Sequence, residues 1–217
     1  MRIGILGTGS IATALGGVWV RAGHDIRVGS QDAAAAARTA HRIGGAAHGT
    51  VTEAAAHSSF VLLALQAEAT CTVVAQLAPV LAGRLLLDCP TSVKPGESVV
   101  EPAEPDALPL AATASGAHLT RVFGLAHASI WGLDKPPFQG VPLSVPFTAD
   151  TPEAVQLTTE FITGLGCTGL HCGKLSRTPL LEPSALFSFM ARLQVRRGAP
   201  APSITPLATR KRPAHSA

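Results

Sequence analysis

The stretch Arg2-Ile3-Gly4-Ile5-Leu6-Gly7-Thr8-Gly9-Ser10-Ile11-Ala12 decides the fold of this 217-residue chain. Arg2 to Leu6 is a short apolar run ending at glycine, which suits a strand buried in a parallel sheet. From Ser10 to Arg21 the periodicity turns helical and stops ahead of Gly23. Ala12, Ala14, Gly16 and Gly17 are small enough to let that helix lie close to a sheet. Strand, G-x-G-x-x-A and helix in this order make a dinucleotide-binding turn. Gly7 permits the tight turn, Gly9 lets the backbone approach a pyrophosphate, and Ala12 allows close helix-to-strand packing. The loop residue Thr8 and the helix-start residues Ser10 and Ile11 complete the phosphate-facing set, with their amides at the positive end of the helix.

Strands and helices keep alternating outward from this stretch. Asp25 to Val28 reads as a strand, and Asp32 caps a helix that runs through the alanines to Arg42. Ala46 to Gly49 is a weak strand, Thr52 to His57 a short helix and Phe60 to Leu65 a clear strand. Glu68 to Ala78 reads as a helix stopped near Pro79, and Leu85 to Asp88 as another apolar strand. Such alternation implies a doubly wound, mostly parallel α/β sheet, Rossmann-like, with right-handed crossovers and ligands at the strands' C-terminal ends. Residues 90–109 break the pattern with five prolines and four acidic residues, and read as a loop beside the strand ends. Thr120 to Leu125 and Leu143 to Thr148 are further strands, Pro152 to Thr163 is a helix and Cys167 to His171 a last strand. This C-terminal β/α extension ends in a closing helix from Thr178 to about Arg196, with Leu186, Phe187, Met190 and Leu193 on one face. Residues 1–197 thus form one domain, and 198–217 a Pro-rich basic tail expected to be disordered.

Composition removes several function classes. Hydrophobic residues make up 47% and charged residues 14% of the chain, which excludes a solvated disordered chain or a coiled coil. The net charge of +3 comes from Arg192, Arg196, Arg197, Arg210, Lys211 and Arg212; without those six, 11 basic residues face 14 acidic ones. No basic stripe or aromatic interleaving points to nucleic acid. Cys71, Cys89, Cys167 and Cys172 form no Cys-x-x-Cys pair, and the histidines lack metal-ligand spacing, so reduced thiols and no metal site are expected. With no tyrosine in the chain, a Tyr-x-x-x-Lys reductase mechanism is excluded. The apolar run from Ile3 to Val20 has the length of a signal peptide, but the close spacing of Gly4, Gly7 and Gly9 and the change from extended to helical periodicity argue against one. No other run is long enough for a membrane span, so the expected setting is the cytoplasm.

Nucleotide preference is read at the end of the second strand. An NAD site places Asp or Glu there for the ribose 2′-hydroxyl, whereas this chain has Ser30 followed by Gln31. A hydroxyl donates to a 2′-phosphate that a carboxylate would repel, and Arg38 or Arg42 could turn towards the same spot. NADP is the expected cofactor.

The opening Gly-Thr-Gly-Ser-Ile-Ala, then Arg21-Ala22-Gly23-His24-Asp25 and Val28-Gly29-Ser30, resembles the NADPH-dependent deazaflavin-coenzyme reductases, the NADP:8-hydroxy-5-deazaflavin oxidoreductases. A second match is Gly173-Lys174-Leu175-Ser176-Arg177 with Leu180-Leu181-Glu182-Pro183, so the resemblance extends from Met1 to about Leu193. It implies NADPH at the glycine loop and at a Ser-Arg pair after the second strand, where Gln31 stands in place of the arginine. It also implies nicotinamide near Leu65-Gln66 and Asp88-Cys89-Pro90-Thr91, and a deazaflavin reached through Phe123-Gly124-Leu125-Ala126-His127. Hydride passing between the two cofactors requires orientation more than a catalytic acid. The family resemblance further implies a homodimer.

Two other readings stand beside this one: an NADPH-dependent reductase of another small-molecule carbonyl or imine, and a non-redox dinucleotide-binding protein of the same fold. In the first of these, the carbonyl or imine reductase, His127 is the candidate proton donor. Trp131 and Phe138 are candidates to wall an aromatic coenzyme, although burial against the short helix and Pro136-Pro137 is the preferred reading. His171-Cys172 beside the last strand reads as structural.

Overall fold

A computed structural model describes residues 1–89, 115–124, 131, 137–138 and 141–180. Strand β1 (Arg2–Leu6), helix α1 (Ser10–Arg21), β2 (Asp25–Gly29), α2 (Ala33–Arg42) and β3 (Ala47–Gly49) open the chain. Then come α3 (Val51–His57), β4 (Phe60–Leu63), α4 (Ala67–Gln76), α5 (Ala78–Leu81), β5 (Leu85–Asp88) and β6 (His118–Val122). A small hairpin of β7 (Pro137–Phe138) and β8 (Val141–Pro142) precedes β9 (Ser144–Ala149), α6 (Pro152–Gly164), β10 (Thr168–His171) and a 3-10 turn at Leu175–Arg177.

The eight-stranded sheet has the order β10-β9-β6-β5-β4-β1-β2-β3. Strands β1 to β6 are mutually parallel and follow the 3-2-1-4-5-6 order of a Rossmann fold. β9 joins β6 antiparallel, with Arg121 opposite Thr148, and β10 pairs parallel to β9. The two sets of parallel strands therefore end at opposite rims.

Side-chain alternation splits the core between the two faces of the sheet. Ile3, Ile5, Val28, Leu85, Leu87 and Phe147 pack with Trp19 of α1 and Phe161 of α6 on one face. Leu6, Val61, Leu63, Leu86 and Leu119 pack with Val74 of α4 and Leu81 of α5 on the other. Both faces being covered explains why the strands read as continuous apolar runs.

Several boundaries differ from the sequence expectation for identifiable reasons. The strand expected to reach Leu65 ends at Leu63, and the one expected over Thr120 to Leu125 spans His118–Val122. Phe123 ends it, taking a left-handed backbone with φ of 65° while its ring is buried. Pro79 does not stop a helix: α4 closes at Gln76, and Pro79 lies in the first turn of α5, where its missing N–H costs nothing. Helix α3 starts at Val51, because Thr50 and Glu53 form a reciprocal capping box ahead of the expected start at Thr52. Asp32 does cap α2, its carboxylate accepting from the Ala35 N–H at 3.0 Å. The 90–109 loop, most of the closing helix and the 198–217 tail lie outside the described residues.

Candidate functional site

The loop between β1 and α1 is tied down on three sides. The Gly7 N–H donates to the Gly29 carbonyl at 2.9 Å, and the Ala64 N–H donates to the Leu6 carbonyl at 2.9 Å. On the far side the Thr39 hydroxyl of α2 donates to the Thr8 carbonyl at 3.4 Å. The loop is thereby held at the place where the strand order reverses between β1 and β4.

Its two glycines have different reasons to be there. Gly7 has φ of +118°, and a Cβ on it would lie 2.1 Å from the Ala64 carbonyl oxygen. It is required by the fold itself, since only a residue without Cβ takes that backbone and permits that approach. Gly9 has an ordinary extended backbone, φ −74° and ψ −172°. A Cβ on it would meet nothing within 4 Å. Neither strain nor protein packing explains Gly9, and its face is open to a ligand approaching the backbone.

Helix α1 begins at Gly9 without a side-chain cap, and its first intrahelical donor is the Thr13 N–H, which reaches the Gly9 carbonyl at 3.1 Å. The Ser10, Ile11 and Ala12 amides precede that bond and point out of the helix end. Uncapped amides, the helix dipole and the open face of Gly9 together fit a pyrophosphate.

At the end of β2, the Ser30 N–H donates to the Gly49 carbonyl at 3.2 Å. Its hydroxyl oxygen accepts from the Asp32 N–H at 3.2 Å, so the hydroxyl hydrogen can still be donated elsewhere. Arg38 reaches back along α2 to within 3.8 Å of the Asp32 carboxylate. Half-buried Ser30 is linked to exposed Asp32, and Asp32 to exposed Arg38, whereas Arg42 lies in the last turn of α2. Of Arg38 and Arg42, Arg38 is the one tied to this turn, through Asp32.

On the other side of the switch point, Leu65 is half-buried and packs with the α4 side of the core. Gln66 is exposed and serves as N-cap of α4 with no side-chain cap bond. Its carbonyl accepts from the Thr70 N–H at 3.1 Å and the Thr70 hydroxyl at 2.9 Å.

At the ends of β5 and β6 lies a feature the sequence did not reveal. Asp88, 4% exposed, forms an ion pair with Arg121, its registered neighbour on the next strand. Burial pushes the Cys89 thiol far up, the Asp88 charge adds to this, and Arg121 opposes it. Cys71 is raised too, by burial first and Asp88 second. Neither thiol is poised as a nucleophile. An acid closing an apolar strand was a visible signal in Leu85-Leu86-Leu87-Asp88; its partner 33 residues away was not.

The candidate donor His127 lies outside the described residues. Trp131 is a core residue, 5% exposed, with its ring edge-on to Phe123 at 5.0 Å. Phe138 belongs to the β7–β8 hairpin. His171 is exposed, and its Nε2 lies 3.3 Å from the Ala149 carbonyl oxygen.

A concavity of about 470 Å³, lined by Asp150, Thr151, His171, Gly173 and Lys174 among others, lies on the rim opposite the glycine loop. Thr151 already caps α6, and the Leu175 N–H already donates to Asp150 at 2.9 Å. Among the described residues no group of His, Cys, Asp and Glu could hold a metal ion, and no helix is long and apolar enough to cross a membrane. All four cysteines are free.

Fold and loop define an α/β chain with a dinucleotide-type turn. Residues 2–91 match the family model described as NADP oxidoreductase, coenzyme F420-dependent. Among solved structures, a protein assigned as an F420-dependent NADP reductase from Arthrobacter superposes with a TM-score of 0.73 at 19% identity, covering 93% of this chain and 96% of that one. A Sinorhizobium meliloti protein described as hypothetical gives 0.68 at 18% identity, covering 81% and 86%. An imine reductase from Streptomyces aurantiacus gives 0.68 at 17% identity, covering 91% of this chain and 65% of that one. No curated protein matches the chain by sequence. The structural likenesses bear out the Rossmann-like fold expected from the opening residues.

Proposed function

We propose that this chain is an NADPH-dependent oxidoreductase that passes hydride between NADPH and a deazaflavin coenzyme. The observation that carries the reading is the β1–α1 turn, where Gly9 leaves an open face over uncapped helix amides. The match of residues 2–91 to a family of coenzyme F420-dependent NADP oxidoreductases supports the choice of partner.

In this reading Gly7, Thr8, Gly9, Ser10 and Ile11 hold the pyrophosphate, with charge-assisted bonds from backbone amides. Ser30 donates to the 2′-phosphate, Gln31 flanks it, and Arg38 supplies the cation that a Ser-Arg pair would have placed at position 31. Leu65 and Gln66 border the nicotinamide. NADPH, when bound, supplies a hydride from carbon 4 of its nicotinamide ring. The protein's own contribution is alignment and exclusion of water, which suits a chain without tyrosine. Residues 1–197 act as one domain, in the cytoplasm and as a homodimer.

A reductase of a small-molecule imine is the second reading, favoured by the superposition of an imine reductase over 91% of this chain. Anaerobic mixing with NADPH and oxidised 8-hydroxy-5-deazaflavin separates the two. NADPH-specific bleaching of the deazaflavin is the expected result; NADPH binding without bleaching would overturn the deazaflavin assignment.

A further inference from the structure

The ion pair of Asp88 and Arg121 has no part in the function just described, yet it stands at the rim where that function is placed. Leu6, Leu63, Asp88 and Arg121 form a registered row across β1, β4, β5 and β6, immediately beneath the strand ends. Adjacent strands lie about 4.8 Å apart, which puts β5 roughly 10 Å from the glycine loop on β1. A dinucleotide whose pyrophosphate rests on Gly9 and whose adenosine lies over β2 therefore brings its nicotinamide half over β4 and β5. Asp88 and Arg121 lie under that half alone.

The row continues into the rest of the molecule. Arg121 is registered with Thr148 of β9, and the Thr148 hydroxyl lies 2.9 Å from the Thr178 hydroxyl. Two residues beyond Arg121, Phe123 is held in its left-handed turn by edge contacts with Trp19, Trp131 and Phe161 on the opposite face of the sheet. The end of β6 is gripped from both faces, by charge on one and by aromatic rings on the other. Strained backbone persists where its surroundings over-determine it.

We propose that Asp88 and Arg121 are a positioning pair for the nicotinamide half of the bound dinucleotide, fixing the ends of β5 and β6 beneath it. The proposal rests on the nucleotide reading given above. It assigns neither residue a contact with the reacting atoms. A buried pair replaced on both sides by apolar groups can leave folding intact, whereas removing one partner strands the other charge, so the decisive variant replaces both residues.

The test compares two ligands on the full chain by calorimetry. Adenosine 2′,5′-bisphosphate reports the adenosine side of the site, and NADPH reports both halves. In the double variant Asp88→Leu with Arg121→Met the expected result is a loss of about tenfold or more in NADPH affinity, with the bisphosphate unchanged within about twofold. Arg121→Lys, which keeps the charge without the planar fork, recovers part of the loss. Equal losses for both ligands, or no change for either in a folded variant, would overturn the proposal and leave the nucleotide reading intact. Wild-type protein that binds neither ligand would overturn that reading and the proposal with it. Should the double variant fail to fold, Asp88→Asn and Arg121→Lys carry the same comparison, because both nearly conserve volume.

Discussion

Replacing Gly9 with serine separates a glycine kept for a ligand from one kept for the fold. In the free protein the new side chain enters open space from a backbone that any L residue adopts. It occupies the N-cap of α1, where serine is preferred to glycine by a few tenths of a kcal/mol. Removing a glycine from the unfolded chain adds roughly 0.4–1 kcal/mol. Together these raise stability by about 1 kcal/mol, or about 2–4 °C in melting temperature for a chain of this size. Binding moves the other way. The hydroxyl now accepts an amide that would serve the pyrophosphate, and Cβ fills its approach. Losing one or two charge-assisted bonds at about 1.5–3 kcal/mol each weakens NADPH by at least tenfold. Calorimetry against NADPH and a thermal melt of the free protein measure both quantities. Unchanged NADPH affinity would refute the placement of the pyrophosphate on Gly9, and a melting temperature lowered by several degrees would refute the claim that the fold has no need of this glycine.

The neighbouring Gly7→Ala should behave oppositely, losing roughly 3 kcal/mol or more of stability through its positive φ and the clash with Ala64, read as a drop in the urea midpoint. Arg38→Ala should weaken NADPH by about tenfold and leave NADH unchanged, so the ratio of the two affinities is the measurement; an unchanged ratio would remove Arg38 from the 2′-phosphate site. Glu53 is held below the usual carboxylate range by the Thr50 N–H and hydroxyl. Its depressed value means that its contribution is present above the unfolded-state pKa and lost as pH falls through the folded one. Melting temperatures measured from pH 6 down to pH 3 should therefore fall less steeply in Glu53→Gln than in the wild type. With its thiol buried and pushed far up, Cys89 should be the last of the four cysteines to react with iodoacetamide in native protein, as followed by mass spectrometry.

What could be read from sequence was whatever is local in the chain. Gly7, Gly9 and Ala12 announce the turn because their spacing reflects one strand, one loop and one helix in succession. Asp32 announces α2 because a cap acts across three residues. The β6–β9 seam, the Asp88–Arg121 pair and the Thr8–Thr39 contact join residues about 30 positions apart, and no period or spacing encodes them. An aromatic in an apolar run favours strand at Phe123. Packing against Trp19, Trp131 and Phe161 overrides that preference and bends the backbone instead. Pro79 was read as a stop, although the same ring is tolerated in a first helical turn. The choice between Arg38 and Arg42 needed the helix to be placed against Ser30.

The antiparallel seam between β6 and β9 also divides the molecule's surface into two working sides. Strands β1 to β6 present their C-terminal ends, and so the loops that follow them, to one rim; β9 and β10 present theirs to the other. Attachments made on that second rim, around Asp150 or Lys174, leave the glycine loop unobstructed. A surface or fusion partner coupled there would hold the protein with its nucleotide face turned outward.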